Sequence, residues 1–235
     1  RQTLFFSATM AAEIERLTNT FLSAPLRVEV ARQASASENI MQSVVFFKPS
    51  RKDSEGTEKR KVLRDMILSE GKDCKNAIIF CNRKSDVDIC AKSLKKYGFN
   101  AAPIHGDLDQ KHRMDTLEDF RTGSLQFLVA SDVAARGLDI PSVSHVYNFD
   151  VPINAEDYVH RIGRTGRAGR NGKALMISTP RDEKNFKAIE KLIQLEIPVF
   201  NNYSLVKEHG EEEKANRKEL RNTSRGKTTL KGNKA

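Results

Sequence analysis

Short apolar runs alternate along the chain with segments whose apolar residues recur at helical spacing. Ile78-Ile79-Phe80 and Phe127-Leu128-Val129-Ala130 are continuous apolar stretches, the pattern of strands covered on both sheet faces. Between them, Ser85-Asp86-Val87-Asp88 reads as a capping box opening a helix. Val87, Cys90, Ala91, Leu94 and Tyr97 would line the buried face of that helix. A strand at Ala101–Ile104 follows. A second helix starts near Asp109, buries Met114, Leu117 and Phe120, and stops at Gly123. Further on, the pattern predicts a strand at Ser144–Phe149 and a helix after Asn154. A strand at Ala174–Ser178 and a helix from Asp182 to about Leu195 follow them. Alternation at this spacing predicts an α/β fold, a parallel sheet with helices on both faces. Near the N-terminus, Thr3–Phe6 looks strand-like and Ala11–Leu22 helical. Strands are expected at Leu26–Val30 and Ile40–Phe47, with a charged loop at Lys48–Glu58.

Polar residues and glycine gather where the predicted strands end. Cys81-Asn82-Arg83, His105-Gly106-Asp107, Ser131-Asp132 and Asp150 each follow a strand. In open parallel sheets ligands bind beyond the carboxyl ends of strands, so four such ends suggest one functional edge. The run His160-Arg161-Ile162-Gly163-Arg164-Thr165-Gly166-Arg167-Ala168-Gly169-Arg170 has arginine and glycine at period three. Arginine offers phosphate a permanent fork of donors, and glycine permits close backbone approach. The run therefore reads as a phosphate clamp or as a solvated basic turn. Ser131–Asp139 is a strand end with a small-residue loop, in which Ser131 could donate to a phosphate and Asp139 accept from a ribose hydroxyl. No P-loop is present: Gly172-Lys173 and Gly226-Lys227-Thr228 both lack the first glycine of the motif. No paired-acidic run suits Mg²⁺.

Charge sharpens this picture. The chain has 235 residues and a net charge of +9. Residues 214–235 hold eight Lys/Arg and one Glu, so the remainder is nearly neutral. That tail is too polar to bury itself and is expected to be disordered, serving as a nucleic-acid arm or as a solvated end. The three cysteines lack zinc-like spacing, and no long apolar run is visible. A soluble cytoplasmic chain with reduced thiols and no membrane association is expected. The start at Arg1 suggests a piece of a longer protein.

Taken together, these motifs resemble the second RecA-like domain of the DEAD-box RNA helicases. Ser7-Ala8-Thr9 is similar to motif III at the end of the first RecA-like domain, and Ile79–Asn82 to motif IV. His105-Gly106-Asp107 with Gln110 and Arg113 resembles motif IVa. Ser131–Asp139 resembles motif V, with serine where threonine is usual, and His160–Arg167 resembles motif VI. The resemblance implies residues 1–24 as the end of a first RecA-like domain, 25–200 as a second RecA-like domain, and 201–235 as the basic tail. It implies ATP with Mg²⁺ and RNA as ligands, with the P-loop and the metal ligands in a missing N-terminal domain. Arg164 and Arg167 would be arginine fingers and His160 a catalytic link to motif III. Gly137 and Asp139 would approach ATP. Asn82, Gly106, Asp107, Arg113 and Ser131 would touch RNA, and Ser7 and Thr9 would couple the domains. Alone, the chain would be inactive. A non-catalytic RNA-binding module is the competing reading, and a Rossmann-type enzyme has no G-x-G-x-x-G to support it.

Overall fold

A computed structural model describes residues 2–7, 12–28, 39–135, 140–167 and 169–200. Helix α1 (Ala12–Phe21) precedes a six-stranded sheet. The order is then β1 (Ile40–Phe46), α2 (Glu55–Glu70), β2 (Ala77–Phe80), α3 (Lys84–Lys96), β3 (Ala101–Ile104), α4 (Gln110–Thr122) and β4 (Phe127–Ala130). It continues with α5 (Asp132–Ala135), β5 (His145–Asn148), α6 (Ala155–Ile162), β6 (Gly172–Ser178) and α7 (Glu183–Ile193). All strand pairs are parallel, in the spatial order β1-β6-β5-β2-β4-β3. This is a RecA-like sheet with helices on both faces.

The pleat decides what each helix meets. Ile79 and Tyr147 point to one face, where α2 and α3 bury Leu63, Met66, Val87 and Leu94 against them. Ile78, Phe80 and Val146 point to the other, beneath Leu117 and Phe120 of α4. On that second face, near β1 and β6, Tyr158 and Ile162 of α6 and Phe186 and Ile189 of α7 complete the core. The central strands β2, β4 and β5 are buried along their whole length; β2 and β4 accordingly read as unbroken apolar runs, whereas β5 carries His145 and Asn148 at its ends.

Several expectations need correction. Residues 2–7 are exposed and form no strand, and neither do residues 25–28; residues 29–38 lie outside the described residues. The charged stretch after Lys48 gives way to α2 at Glu55, a helix that the sequence pattern did not predict. Its apolar stripe (Val62, Leu63, Met66, Ile67) is interrupted by Lys59 and Arg64, whose long side chains are themselves buried. Ser85 does not cap α3, which begins at Lys84 with no side-chain cap. Tyr97 is 55% exposed and instead lies face-on beneath the Arg64 guanidinium, 3.8 Å away. Met114 is exposed rather than buried. Asp109 and Asn154 do cap α4 and α6, accepting from His112 N and Glu156 N. Gly123 ends α4 with φ of +82°. The expected disorder of the tail concerns residues 201–235, which lie outside the described residues.

Candidate functional site

Arg161, the last-turn arginine of α6, is 1% exposed and organises the carboxyl ends of three neighbouring strands. Its Nε and Nη2 donate to the two carboxylate oxygens of Asp132, just after β4, each at 2.7 Å. Nη2 also donates to Asn82 Oδ1 after β2, at 2.7 Å. Nη1 reaches Asn148 Oδ1 at 3.3 Å and the Asp150 carbonyl at 2.7 Å, at the end of β5. The guanidinium lies over the Phe80 ring. A buried guanidinium needs most of its donors satisfied, and here every nitrogen has a partner.

A second carboxylate extends this network. Asp150 accepts from Lys59 Nζ at 2.7 Å and from the Asn82 backbone N–H at 3.0 Å. Lys59 is a buried lysine of α2, so both faces of the sheet are tied to this edge. Asn82 is held on three sides, because its Nδ2 also donates to the Val151 carbonyl at 2.9 Å. Its side-chain oxygen is therefore engaged inside the protein.

Beyond β3 the edge opens to solvent. Gly106 and Asp107 are exposed. Lys84 Nζ donates to Asp107 at 2.6 Å, and this contact holds the Asp107 carboxyl below the usual carboxylate range. The Asp107 N–H donates to His105 Nδ1 at 3.3 Å, which fixes that nitrogen as the acceptor and puts the ring proton on Nε2. Nε2 stands 3.2 Å from Asp88, off the line of a hydrogen bond. Arg113 on α4 donates from Nη1 to Gln110 at 3.2 Å, and its Nε is buried with no partner among the described residues. Ser131, at the end of β4, is buried.

The Arg/Gly run does not share this edge, apart from Arg161. After α6 the chain passes to the opposite ends of the strands, where Thr165 bridges Val143 ahead of β5. Two glycines are required by that path. Gly166 has φ of +65°, and a Cβ there would come 2.5 Å from Ile40 Cγ1. A Cβ on Gly172 would meet the Gly166 nitrogen at 2.6 Å and the Thr165 side chain. Arg164 is half-buried, with Nη2 donating to the Ala135 carbonyl at 3.3 Å. Burial, and then the adjacent Arg167 charge, lower its pKa from the ordinary guanidinium value. Arg167 is exposed, and its Nε donates to the Gly163 carbonyl at 2.5 Å. His160 is exposed, its Nδ1 3.9 Å from Asp157. The run is thus split: Arg161 is a buried strut, Arg164 is half-buried against the Ala135 carbonyl of α5 with the Arg167 charge near it, and Arg167 and Arg170 are exposed.

Gly137, Asp139 and Thr9 lie outside the described residues; Ser7 is within them and exposed. Lys59 and Asn148 are the network members that sequence reasoning left out, and Asp132 and Asp150 were placed on the edge without a role. Asp132 and Asp150 carried a signal, since both stand at strand ends; Lys59 carried none, in a helix that the pattern did not reveal.

Comparison with known proteins adds three findings. Residues 58–169 match the helicase conserved C-terminal domain. The chain is 45% identical over 190 residues to the DEAD-box ATP-dependent RNA helicase CshA of Bacillus subtilis; the match covers 81% of this chain and 37% of CshA. The chain thus spans little more than a third of that relative's length. Among solved structures, it resembles Escherichia coli DEAD-box protein SrmB, crystallised with the regulator of ribonuclease activity A. That likeness has 32% identity and a TM-score of 0.59, covering 68% of this chain and 88% of SrmB's. Saccharomyces cerevisiae Dbp5 bound to RNA and ADP BeF3 superposes with a TM-score of 0.71 at 28% identity, covering 86% of this chain and 54% of that one.

Proposed function

The chain belongs to the DEAD-box RNA helicases and carries their helicase C-terminal domain, and on that footing we propose that it supplies half of an ATP-dependent, RNA-stimulated motor. The observation that carries this reading is the division of labour in the Arg/Gly run. Arg161 is consumed by the Asp132–Asn82–Asp150 network, while the half-buried Arg164 and the exposed Arg167 lie near each other outside it. In this reading Arg164 and Arg167 meet the phosphates of an ATP bound mainly to a first RecA-like domain. Gly137 and Asp139 approach its ribose and phosphates, and His160 links the site to Ser7 and Thr9 of motif III. The bound nucleotide supplies the phosphoryl group that water attacks. The two guanidiniums hold and neutralise charge that builds on its oxygens, an effect worth roughly 10³–10⁵ in rate for an arginine finger.

Adjacent cations suit the polyphosphate of ATP. The same proposal places the Mg²⁺ ligands on the first RecA-like domain. The exposed Gly106–Asp107 edge and Arg113 are the proposed RNA-backbone contacts, with Ser131 buried beside them. Contacts of this kind fix register without reading sequence. Asn82 acts there chiefly by anchoring the edge through Arg161. The domain limits of 25–200 for this RecA-like unit, and a cytoplasmic setting, belong to the same proposal. The latter is supported by three free, buried thiols. No helix among the described residues is long and apolar enough to cross a membrane.

The test is complementation. The chain alone should hydrolyse ATP no faster than buffer, and adding the first RecA-like domain in trans should restore RNA-stimulated hydrolysis. Hydrolysis by the chain alone would contradict the half-motor reading, and no restoration together with intact RNA binding would favour the binding-module reading.

A further inference from the structure

The turn after β3 holds one buried side chain that the proposed function leaves unused. His105 is 4% exposed, while Gly106 and Asp107 beside it are exposed. His105 closes the turn His105-Gly106-Asp107-Leu108 twice. Its carbonyl accepts from the Leu108 N–H at 3.3 Å, and its ring Nδ1 accepts from the Asp107 N–H, also at 3.3 Å. The second bond runs from a backbone N–H to a side chain two residues back, as Asn and Asp do in turns. It requires an imidazole with no proton on Nδ1.

The turn is also held from α3. Lys84 and Asp88 stand four residues apart, on one face of that helix. Lys84 Nζ meets the Asp107 carboxylate at 2.6 Å, and Asp88 stands 3.2 Å from His105 Nε2. Two residues of the helix therefore face two alternate residues of the turn. Nε2 is nonetheless buried with no hydrogen-bond partner among the described residues. Of the two ring nitrogens, the bonded one is the one that serves the exposed turn.

The fold itself does not demand a glycine here. Gly106 has no positive φ, and a Cβ on it would meet nothing within 4 Å. A bare backbone at this point leaves room for something outside the protein to come close, but glycine in an exposed turn samples many conformations unless it is braced. His105 supplies the brace from beneath.

Resting on the reading of Gly106 and Asp107 as RNA contacts, we propose that His105 is a positioning residue for RNA. Through Nδ1 it turns the Asp107 N–H inward, and so presents Gly106 and the Asp107 carboxylate to the sugar–phosphate backbone in one geometry. His105 itself, being buried, does not touch the RNA. A turn already set in its bound shape has less entropy to lose on binding. Its loss should therefore raise KM for RNA and leave kcat at saturating RNA in place.

The experiment replaces His105 with two amides. In His105→Asn the side-chain oxygen can take the place of Nδ1. In His105→Gln the amide lies nearer the position of Nε2, and the acceptor for Asp107 is lost. Gln is closer to His in volume, so a packing role alone would favour Gln, whereas a role in the turn favours Asn. RNA-stimulated ATP hydrolysis is measured on the chain joined to the first RecA-like domain, with Gly106→Ala as the control for the RNA reading. His105→Gln should raise KM for single-stranded RNA about five- to tenfold with kcat within about twofold, and His105→Asn should stay within about twofold of the parent in both. In two-dimensional NMR of the full chain, the Asp107 amide proton should keep its shift in His105→Asn and move upfield in His105→Gln. An unmoved Asp107 amide in His105→Gln would overturn the proposal. Equal KM increases in both variants, or a larger one in His105→Asn, would reduce His105 to packing and overturn it too. An unchanged KM in His105→Gln would overturn it while leaving the RNA reading intact if Gly106→Ala raises KM; with KM unchanged in Gly106→Ala as well, the RNA reading of the turn falls with it.

Discussion

Arg161 grips Asp132 through two parallel bonds, Nε to Oδ1 and Nη2 to Oδ2, both 2.7 Å long and with the arginine 1% exposed. The fork geometry is what lets one side chain also hold Asn82 and the end of β5. Removing it leaves Asp132 and Asn82 without their partner. Arg161→Met should therefore destabilise the domain by about 3–5 kcal/mol, read from urea midpoints. Arg161→Lys should recover only part of that, because an ammonium cannot make the paired bonds.

Asn82 tests whether the edge is organised from within. Asn82→Ala removes an acceptor for Arg161 and a donor to Val151. A loss of about 1–3 kcal/mol in stability is expected, comparable to other broken buried hydrogen bonds. Asp107→Ala, at an exposed position, should change stability by less than about 0.5 kcal/mol. An Asn82→Ala variant as stable as its parent would contradict the anchoring role.

How much of this was visible in the sequence depends on where each signal lives. The strands β2 and β4 were plain because burial on both faces leaves only apolar residues. α4 was plain because Asp109 and Gly123 mark its ends chemically. α2 was hidden because Lys59 and Arg64 break its stripe while burying their own stems, and a pattern cannot show that Lys59 finds Asp150, ninety-one residues away. The Arg/Gly run was legible as chemistry, but its four arginines look alike in one dimension. Only the path of the chain after α6 separates Arg161, which points back to the strand ends, from Arg164 and Arg167. The strand-like Thr3–Phe6 shows the converse error: an apolar run has no strand to form without a sheet to join.

A buried ion pair at the opposite ends of the strands contributes to the response to acid. Glu70, 4% exposed, accepts from His145 Nε2 at 3.1 Å and Lys173 Nζ at 2.5 Å. The His145 bond and then the Lys173 bond lower its pKa below the ordinary 4.5, against the opposing effect of burial. A depressed carboxyl pKa means the stabilisation is fully present above about pH 4.5 and is lost as pH falls through the lower folded value. Stability measured between pH 7 and pH 3 should fall less steeply in Glu70→Gln than in the parent, though from a lower starting point.

The basic tail makes a separate prediction. Deleting residues 214–235 removes eight cations and one anion. If those cations meet phosphates, the slope of log affinity for single-stranded RNA against log salt should shrink by about 0.7 for each phosphate no longer neutralised. An unchanged slope would remove the tail from the RNA-binding account.

The central claim is that Arg164 and Arg167 complete an ATP site held mainly by another domain. The direct measurement is kcat for RNA-stimulated ATP hydrolysis, with this chain joined to the first RecA-like domain and either arginine replaced by alanine. Each substitution should lower kcat by about 10³ or more while thermal stability and RNA affinity stay close to the parent's. Hydrolysis within a few-fold of the parent's in both variants would contradict the claim.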